Sequence, residues 1–560
     1  MKALGAMGAV RRAIKSAAPS LYEKASAVYW ALRGMPRIRR GIIRAIARRR
    51  ALETIRAIAR ESVRGVPNPT GAHIVFLTVR GWPVHLAIES LLASRLRSMG
   101  HDVTFLICAD TLPFCMMGSV HTPAEYQRPC KSCRAAKAAA FGEIFPTEEM
   151  AASRLPSSFL RTLEALSLQD CRTFTYEGVP YGDLCYPTMA WYLRRATLHE
   201  GDAAVYRRVL GSAHIARLGI EKKIEQRRPD VVVMFSGDFF SENVAAHVLR
   251  KAGIRFVSHD YAFLERVGVG LNQSVWDHLT LDKTSGSRPV NIKDRQRRLA
   301  EDLLTEWRVK GGYQGELFWS AATLSAGKEI LESLGLDDRP MAAAFTNLTY
   351  ESSVIGKDRV FSDQREWLRS LVSHFKSRRQ WQLVIRVHPA EARPGHWGPI
   401  ESLESYLNAA LTPLPENVRV VGSRANISSY AIGALGRLIL VYASTIGLEF
   451  AERSRRVITA ADIHYAGRGF TVDPEATSSY FQAIDRCMNQ EEKLSQEEHA
   501  KLVDYVGWFF FARLCPFEAL TNIGQDWPRV TVRNLRDLSS PDMLGVNQLA
   551  RVIADGVPWW

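Results

Sequence analysis

The chain has 560 residues, of which 46% are hydrophobic and 23% charged, a composition typical of a globular protein large enough for two substantial domains. No apolar stretch reaches the roughly 18 residues that a membrane-spanning helix needs, which excludes a protein built from such helices. Most of the net charge of +15 lies at one end, because residues 1–65 contain 16 Lys and Arg against three Glu, and the rest carries only +2.

Residues 1–66 are predicted to form a basic helical arm, broken near Pro19 and Pro36. Apolar side chains at 42, 43, 46, 52, 55 and 58 approximate a helical stripe, and arginines occupy the other face. This pattern is typical of a helix that contacts an anionic membrane surface. The alternatives are a solvated helix packed on the body and an organelle transit peptide. Nucleic-acid binding is disfavoured, because the basic residues alternate with apolar rather than aromatic ones.

The segment 67–335 is predicted to be an N-terminal Rossmann-like domain that faces the acceptor. After the linker Pro67–Gly71, its strands and helices alternate as strand 73–80, helix 86–99, strand 103–108, strand 230–236, helix 242–252 and strand 255–259. The first loop lacks Gly-x-Gly-x-x-Gly, so no dinucleotide is expected there.

Four of the eight cysteines fall close together, at Cys108, Cys115, Cys130 and Cys133, and the last two form a Cys-x-x-Cys. That spacing is found in structural zinc sites. The spacing of the first two is wrong for a standard zinc ribbon. Reduced, unligated thiols are the alternative.

The segment 336–495 is predicted to be a second Rossmann-like domain, which binds the nucleotide. Its predicted strands are 341–347, 383–387, 418–421, 438–442 and 456–459. Residues 496–560 are predicted to be helices that pack back across both domains. The predicted fold class is therefore α/β, with two doubly wound domains facing a cleft and an N-terminal helical arm.

Two strand ends of the second domain carry groups suited to a phosphate. Pro389 ends one strand and leaves His388 at the rim of the sheet. Ser444 and Thr445 lie where another strand turns into a helix, and Glu449 follows about one turn later. Ligands of open α/β sheets bind at such edges. We expect His388, Ser444 and Thr445 to hold phosphate and Glu449 to accept from ribose hydroxyls.

Further polar residues follow the same strands. Asn347 and Thr346 end the first strand of the second domain and could meet the donor phosphate or face the reacting centre. Arg386 shares a strand face with His388 and could neutralise phosphate or a donor carboxylate, or pair with a buried acid. Ser423 and Asn426 follow the third strand and could contact the base.

Three stretches carry a resemblance to a known family: Tyr442-Ala-Ser-Thr-Ile-Gly-Leu-Glu449, Arg456-Val-Ile-Thr459 and Tyr465-Ala-Gly-Arg-Gly-Phe-Thr471. They resemble the capsular polysaccharide biosynthesis proteins, and among these most of all the bacterial Kdo transferases. The resemblance implies the GT-B fold and a CMP-activated Kdo donor. It covers residues 340–475 well and 70–280 thinly, and supports glycosyl transfer better than any named sugar. It also fits a metal-independent reaction, so no cofactor is expected beyond the structural zinc considered above.

The stretch Ser258-His-Asp-Tyr-Ala-Phe-Leu-Glu-Arg266 is similar to a catalytic stretch of the Kdo transferases, and the similarity places the catalytic carboxylate on Asp260. His259 stands where that family has Glu, so the correspondence is partial. Asp238, in Ser236-Gly-Asp238, is the alternative carboxylate, unless it is a helix N-cap.

The function expected from these residues is transfer of a Kdo-like acid sugar from a nucleotide donor to a lipid-linked or glycan acceptor, in capsule or surface-glycan assembly. The protein is then cytoplasmic and peripheral on the inner face of the cell membrane, with residues 1–65 contacting anionic lipid. Two alternatives stay open: a polyol-phosphate transferase of teichoic-acid type, and a catalytically inactive GT-B scaffold of a glycan-assembly complex.

Overall fold

The computed structural model describes residues 36–108, 110–118, 129–150, 155–277, 292–310, 327–393, 398–522 and 527–559. The part of the predicted arm before residue 36 lies outside this range.

The strands, in chain order, are β1 His73–Thr78, β2 Asp102–Ile107, β3 Thr147–Glu149, β4 Val231–Phe235, β5 Arg255–Tyr261, β6 Arg266–Leu271, β7 Met341–Phe345, β8 Gln382–Arg386, β9 Val418–Val421, β10 Leu438–Val441, β11 Arg456–Thr459, β12 Cys515–Pro516, β13 Leu520–Thr521 and β14 Arg529–Val530. The α-helices are α1 Pro36–Gly65, α2 Pro83–Ser98, α3 Cys130–Lys137, α4 Ser157–Ala165, α5 Leu168–Thr173, α6 Tyr181–Leu193, α7 Ala203–Gln226, α8 Phe240–Lys251, α9 Asp294–Lys310, α10 Gly327–Ser333, α11 Gln364–Lys376, α12 Leu403–Ala410, α13 Ser429–Leu435, α14 Ile446–Glu452, α15 Thr477–Asn489, α16 Gln496–Trp508, α17 Leu535–Leu538 and α18 Leu544–Asp555.

The first sheet has the strand order β12–β6–β5–β4–β1–β2–β3. The strands from β5 to β3 are parallel, and β6 and β12 are antiparallel additions at one edge. Strands β1 and β4 are buried along their whole length, as expected for a sheet covered by helices on both faces. The chain runs from β1 outward to β3 and then returns to β4, so the topological switch point lies between β1 and β4.

The second sheet is wholly parallel, in the order β11–β10–β7–β8–β9. Its switch point lies between β7 and β10, because the chain goes from β7 outward to β9 and returns at β10. The strands that the sequence predicts match those of the structure with only small shifts at their ends. The predicted fold class, two Rossmann-like domains in the GT-B arrangement, is confirmed by these two sheets.

Helix α1 packs more closely on the first domain than the prediction of a separate basic arm implies. Ile55, Ile58 and Ala59 are fully buried in the core that also contains strands β1 and β2. Residues 44–50 of the same helix are exposed. The amphipathic stripe therefore belongs partly to the folded body, and the basic residues 44–50 project from it. No helix within the described residues is long and apolar enough to cross a membrane.

The C-terminal segment and several side chains connect the two domains. Strand β12 extends the first sheet, and α18 packs against α2. Phe509 and Phe510, just beyond α16, contact Phe263 of the first domain and belong to the core of the second. Glu401 of the second domain accepts from Arg195 of the first at 3.0 Å. Leu348 and Ala390, beyond β7 and β8, pack with Ala190 of α6, and Asp238, beyond β4, lines a cavity together with Lys357, so the carboxyl ends of both sheets border a common cleft.

Candidate active site

The turn after β4 places a buried carboxylate at the switch point of the first sheet. Ser236 and Gly237 adopt left-handed backbone conformations, with φ of 46° and 91°. A Cβ on Gly237 would lie 2.7 Å from the Cα of Ser274, so the turn requires glycine. Asp238 follows, only 8% exposed, and accepts from the Ser236 hydroxyl at 2.8 Å.

Asp238 is not a helix cap. Helix α8 has Phe239 at its N-cap position, with no side-chain capping bond. The alternative interpretation of Asp238 as an N-cap is therefore wrong.

Asp260 lies near the end of β5, the strand next to β4, and forms a pair with Asp238. The indole N–H of Trp276 donates to Asp260 Oδ2 at 3.2 Å, and Ser236, whose hydroxyl donates to Asp238, also lies near the Asp260 carboxyl. Burial and the neighbouring Asp238 raise the pKa of Asp260 to about 7. Burial and then Asp277 raise the pKa of Asp238 to about 6. Near neutral pH, one carboxyl of this coupled pair is protonated while the other is ionised.

A buried polar network fixes the strands that carry Asp238 and Asp260. His259, next to Asp260 in β5, contacts Glu89 Oε1 through Nε2 at 3.2 Å, and both side chains are almost fully buried. The Thr78 hydroxyl of β1 donates to Glu89 Oε2 at 2.5 Å. The network links α2, β1 and β5, so it fixes the strand ends that carry the reactive groups. His259, which departs from the family's pattern, has a structural partner here.

The second domain reaches the pair from across the cleft. Lys357 is buried and forms an ion pair with Asp277, which lies close enough to Asp238 to affect its pKa. The neighbouring Asp358 accepts a hydrogen bond from the Tyr442 hydroxyl. Lys357 and Asp277 are not predictable from the sequence, because no local pattern indicates a contact between domains.

The switch point of the second sheet brings Asn347 and Ser444 together. Asn347 follows β7, donates to the Ala443 carbonyl at 3.1 Å and accepts from the Ala443 N–H at 3.0 Å. Gln364 in turn donates to the Asn347 carbonyl and accepts from its N–H. Asn347 therefore positions the loop that carries Ser444 and Thr445.

Two motifs of the family resemblance form one packed unit. The Tyr465 hydroxyl donates to the Ser444 carbonyl at 2.6 Å. A Cβ on Gly447 would lie 2.2 Å from that hydroxyl, so only glycine permits the contact. Thr445 occupies the N-cap position of α14 without a side-chain capping bond. The Ser-Thr-x-Gly stretch and the Tyr-Ala-Gly stretch thus shape the same loop.

His388 lies at the end of β8, beside the loop after β7. Its backbone N–H donates to the Thr346 hydroxyl at 2.9 Å, and its Nδ1 accepts from the Ala390 N–H at 3.2 Å. Burial, with Arg393 and Arg386 nearby, lowers the pKa of His388 to about 4. The imidazole is therefore neutral at pH 7, and because Nδ1 accepts, the ring proton is on Nε2.

Two other predicted nucleotide-binding residues have protein partners. Glu449 is 5% exposed and accepts from the Tyr430 hydroxyl at 2.8 Å. The buried Arg386 guanidinium donates to the carbonyls of Val421 and Gly422, beside β9. Asn347, Ser444, Thr445 and Glu449 thus gather around β10, and His388 reaches the same edge from β8. Arg386 instead joins two strands.

The predicted zinc site has no ligand set in the structure. None of the eight cysteines, all of which lie within the described residues, is in a disulfide, and burial raises the pKa of Cys115 to about 11. Within the described residues, which include all four cysteines of the predicted site, no group of three or more His, Cys, Asp or Glu is arranged to hold a metal ion.

No protein-family model matches this sequence, and neither does any curated protein. Among solved structures, the chain is similar to a KpsC beta Kdo 2,4 transferase from Thermosulfurimonas dismutans, at 14% identity and a TM-score of 0.30, over 56% of this chain and 88% of that one. It is also similar to the sucrose-phosphate synthase of Thermosynechococcus elongatus, at 12% identity and a TM-score of 0.28, over 78% of this chain and 95% of that one. Likenesses this weak carry no argument about activity, and the fold class rests on the strand topology.

Proposed function

We propose that this protein is a glycosyltransferase that moves a sugar from a nucleotide donor to a glycan acceptor. The observation that carries the proposal is the carboxylate pair Asp238–Asp260 at the switch point of the first sheet. It faces a second sheet whose own switch point carries Asn347, Ser444 and Thr445. Two crevices at facing switch points are suited to two substrates that must meet, one on each domain.

The pair provides the proton chemistry of the transfer. The acceptor oxygen forms a bond to the anomeric carbon, the bond from that carbon to the phosphate oxygen breaks, and the phosphate leaves with the electron pair. The hydroxyl proton passes to the ionised carboxylate of the pair. Asp260 carries the acid–base or covalent role in its ionised form, which its pKa of about 7 makes available at and above neutral pH, and Asp238 is its proton partner.

The donor in this proposal is a nucleotide sugar, with a CMP-linked, Kdo-like acid sugar favoured by the family resemblance. The Nε2–H of His388 and the hydroxyls of Ser444 and Thr445 would bind phosphate oxygens. Glu449 would accept from a ribose hydroxyl in addition to its bond from Tyr430. The leaving phosphate would be stabilised by these fixed donors, without a metal ion.

The acceptor is proposed to be lipid-linked or glycan, in capsule or surface-polysaccharide assembly at the inner face of the membrane. Exposed basic side chains on α1 support this placement: Arg44, Arg48, Arg49 and Arg50 lie on the part of the helix that projects from the first domain. Arginines of this kind attract anionic headgroups at ~1 kcal/mol each when close to the surface.

The test is stabilisation by nucleotides. Thermal unfolding of the full chain with CMP, UDP or CDP should show the largest rise in midpoint with CMP, because a ligand that binds only the folded state stabilises it. A preference for CDP would favour the polyol-phosphate transferase. Nucleotide binding without turnover of any nucleotide sugar would favour the inactive scaffold, and no stabilisation by any nucleotide would refute the proposal.

A further inference from the structure

A polar cavity of about 740 Å³ lies between the two domains. This volume is in the range of small-molecule sites, roughly 300–1,000 Å³. One wall is formed by α5 and α6, the opposite wall by residues 352–358 of the second domain, and Asp238 lies between them. The side chains that matter for recognition are Gln169, Arg172, Asp183, Tyr186, Lys357 and Asp358.

The position of the cavity separates it from the proposed donor site. Of the described residues that line it, none belongs to the set His388, Ser444, Thr445 and Glu449. Asp238 does line it, and this carboxylate is more than nine-tenths buried. A molecule in the cavity can therefore reach Asp238 of the carboxylate pair without displacing a nucleotide.

The charges of the lining favour a neutral ligand. Arg172 is paired with Asp183, and Lys357 is paired with Asp277. Asp238 and Asp358 instead accept hydrogen bonds from hydroxyl groups, those of Ser236 and Tyr442. Carboxylates of this kind accept well from hydroxyls.

An anionic ligand would be repelled by these carboxylates, since both cations that line the cavity are already neutralised. Tyr186 adds an aromatic ring, which is stacked under Arg172 with the guanidinium carbon 4.3 Å from the ring centroid.

We infer that this cavity is the acceptor site and that it takes a neutral, hydroxyl-rich sugar rather than an acidic one. The inference rests on the proposed function, because an acceptor requires a donor. It adds that the terminal sugar of the acceptor lacks a carboxylate, whatever the sugar of the donor carries.

The test uses two probes that differ only in charge, methyl β-galactopyranoside and methyl β-galactopyranosiduronate. Saturation-transfer NMR on the full chain at millimolar probe concentration should show the neutral glycoside bound and the acidic one at least about fivefold weaker. That ratio corresponds to one like-charge contact in water. Gln169→Lys places a cation on the exposed cavity rim and should raise binding of the acidic probe. Gln482→Lys makes the same change on an exposed helical position outside the cavity and should have no effect.

Several outcomes would overturn the inference: equal binding of the two probes, no signal from either, or an equal response to Gln169→Lys and Gln482→Lys. Nucleotide stabilisation of the same samples distinguishes the two proposals. If nucleotide stabilises the parent protein while the probes behave in any of these ways, the acceptor assignment fails and the proposed function stands. If no nucleotide stabilises it, the proposed function itself fails.

Discussion

Asp260→Asn should make the protein more stable and less active, and the two effects have the same cause. In the folded protein, burial and Asp238 raise the pKa of Asp260 to about 7 from an ordinary 3.8. One pKa unit corresponds to about 1.4 kcal/mol, so the free energy of unfolding falls by up to about 4 kcal/mol as the pH rises from the ordinary pKa to the raised one, because in this range the carboxyl ionises more readily in the unfolded chain. Asparagine keeps an oxygen to accept from Trp276 and cannot ionise.

The sign of the pH dependence follows from linkage. Because its folded pKa is raised, Asp260 stabilises the folded state fully below pH 3.8, and this contribution is lost as the pH rises through about 7. The variant does not lose stability in this way. Its advantage in urea unfolding should therefore be small at pH 4 and largest at pH 8. Glu164→Gln, at an exposed carboxyl of the same domain, should change the unfolding midpoint at neither pH.

The same variant should lose roughly 10²- to 10⁴-fold in sugar transfer while its nucleotide affinity is unchanged, because a positioned acid or base acts only in the chemical step. Asp238→Asn should reduce transfer in the same range if the two carboxyls act as a pair. The reasoning would be refuted by an Asp260→Asn protein that is no more stable than the parent at pH 8. Transfer within tenfold of the parent, with Asp238→Asn inactive, would move the main catalytic role to Asp238.

Three other perturbations test the remaining assignments. His388→Ala should weaken nucleotide binding by about 10- to 100-fold in calorimetry, through loss of a hydrogen bond to a charged phosphate. His388→Asn keeps a side-chain oxygen that can accept from the Ala390 N–H, and it should weaken nucleotide binding to a similar extent. An effect shared by both variants is therefore due to the lost phosphate contact and not to the lost bond with Ala390. Asn347→Ala should weaken nucleotide binding indirectly, because the loop that carries Ser444 loses the two hydrogen bonds between Asn347 and Ala443. Unchanged nucleotide affinity would contradict this role. Replacing the four arginines between 44 and 50 by glutamine should reduce sedimentation with anionic vesicles by up to about 10³-fold, and no change would remove the membrane contact.

The strands were predictable because buried parallel strands are short apolar runs, and β9 and β11 end at the residues that the sequence indicates. The order of the strands was not predictable, since it depends on which connections return across the sheet. The switch points depend on that order. This is why the motif at Ser444 was recognisable locally, whereas the importance of Asp238 emerged only when β4 was seen beside β1 and β5.

Arg386 shows the same limit at the level of one side chain. Period-two alternation places it on the strand face of His388, but periodicity does not reveal what the neighbouring strand offers. In the structure, the carbonyls of Val421 and Gly422 at the end of β9 accept hydrogen bonds from the Arg386 guanidinium. A buried arginine with such acceptors stabilises the sheet edge, and its contact with phosphate stays a prediction.

The last prediction concerns helix α1, whose apolar stripe runs from exposed residues into residues that are buried in the first domain. The sequence does not show where along the helix this change occurs. In the structure, Ile55 and Ile58 are fully buried. They would be exposed to water only if α1 separated from the first domain. Burial of such a side chain stabilises a fold by about 1.5–3 kcal/mol. Ile55→Asp should therefore lower the unfolding midpoint sharply or prevent folding, whereas Ile46→Asp, at a side chain that is 49% exposed on the same helix, should leave it unchanged. Equal midpoints for the two variants in urea would show that α1 is an independent arm.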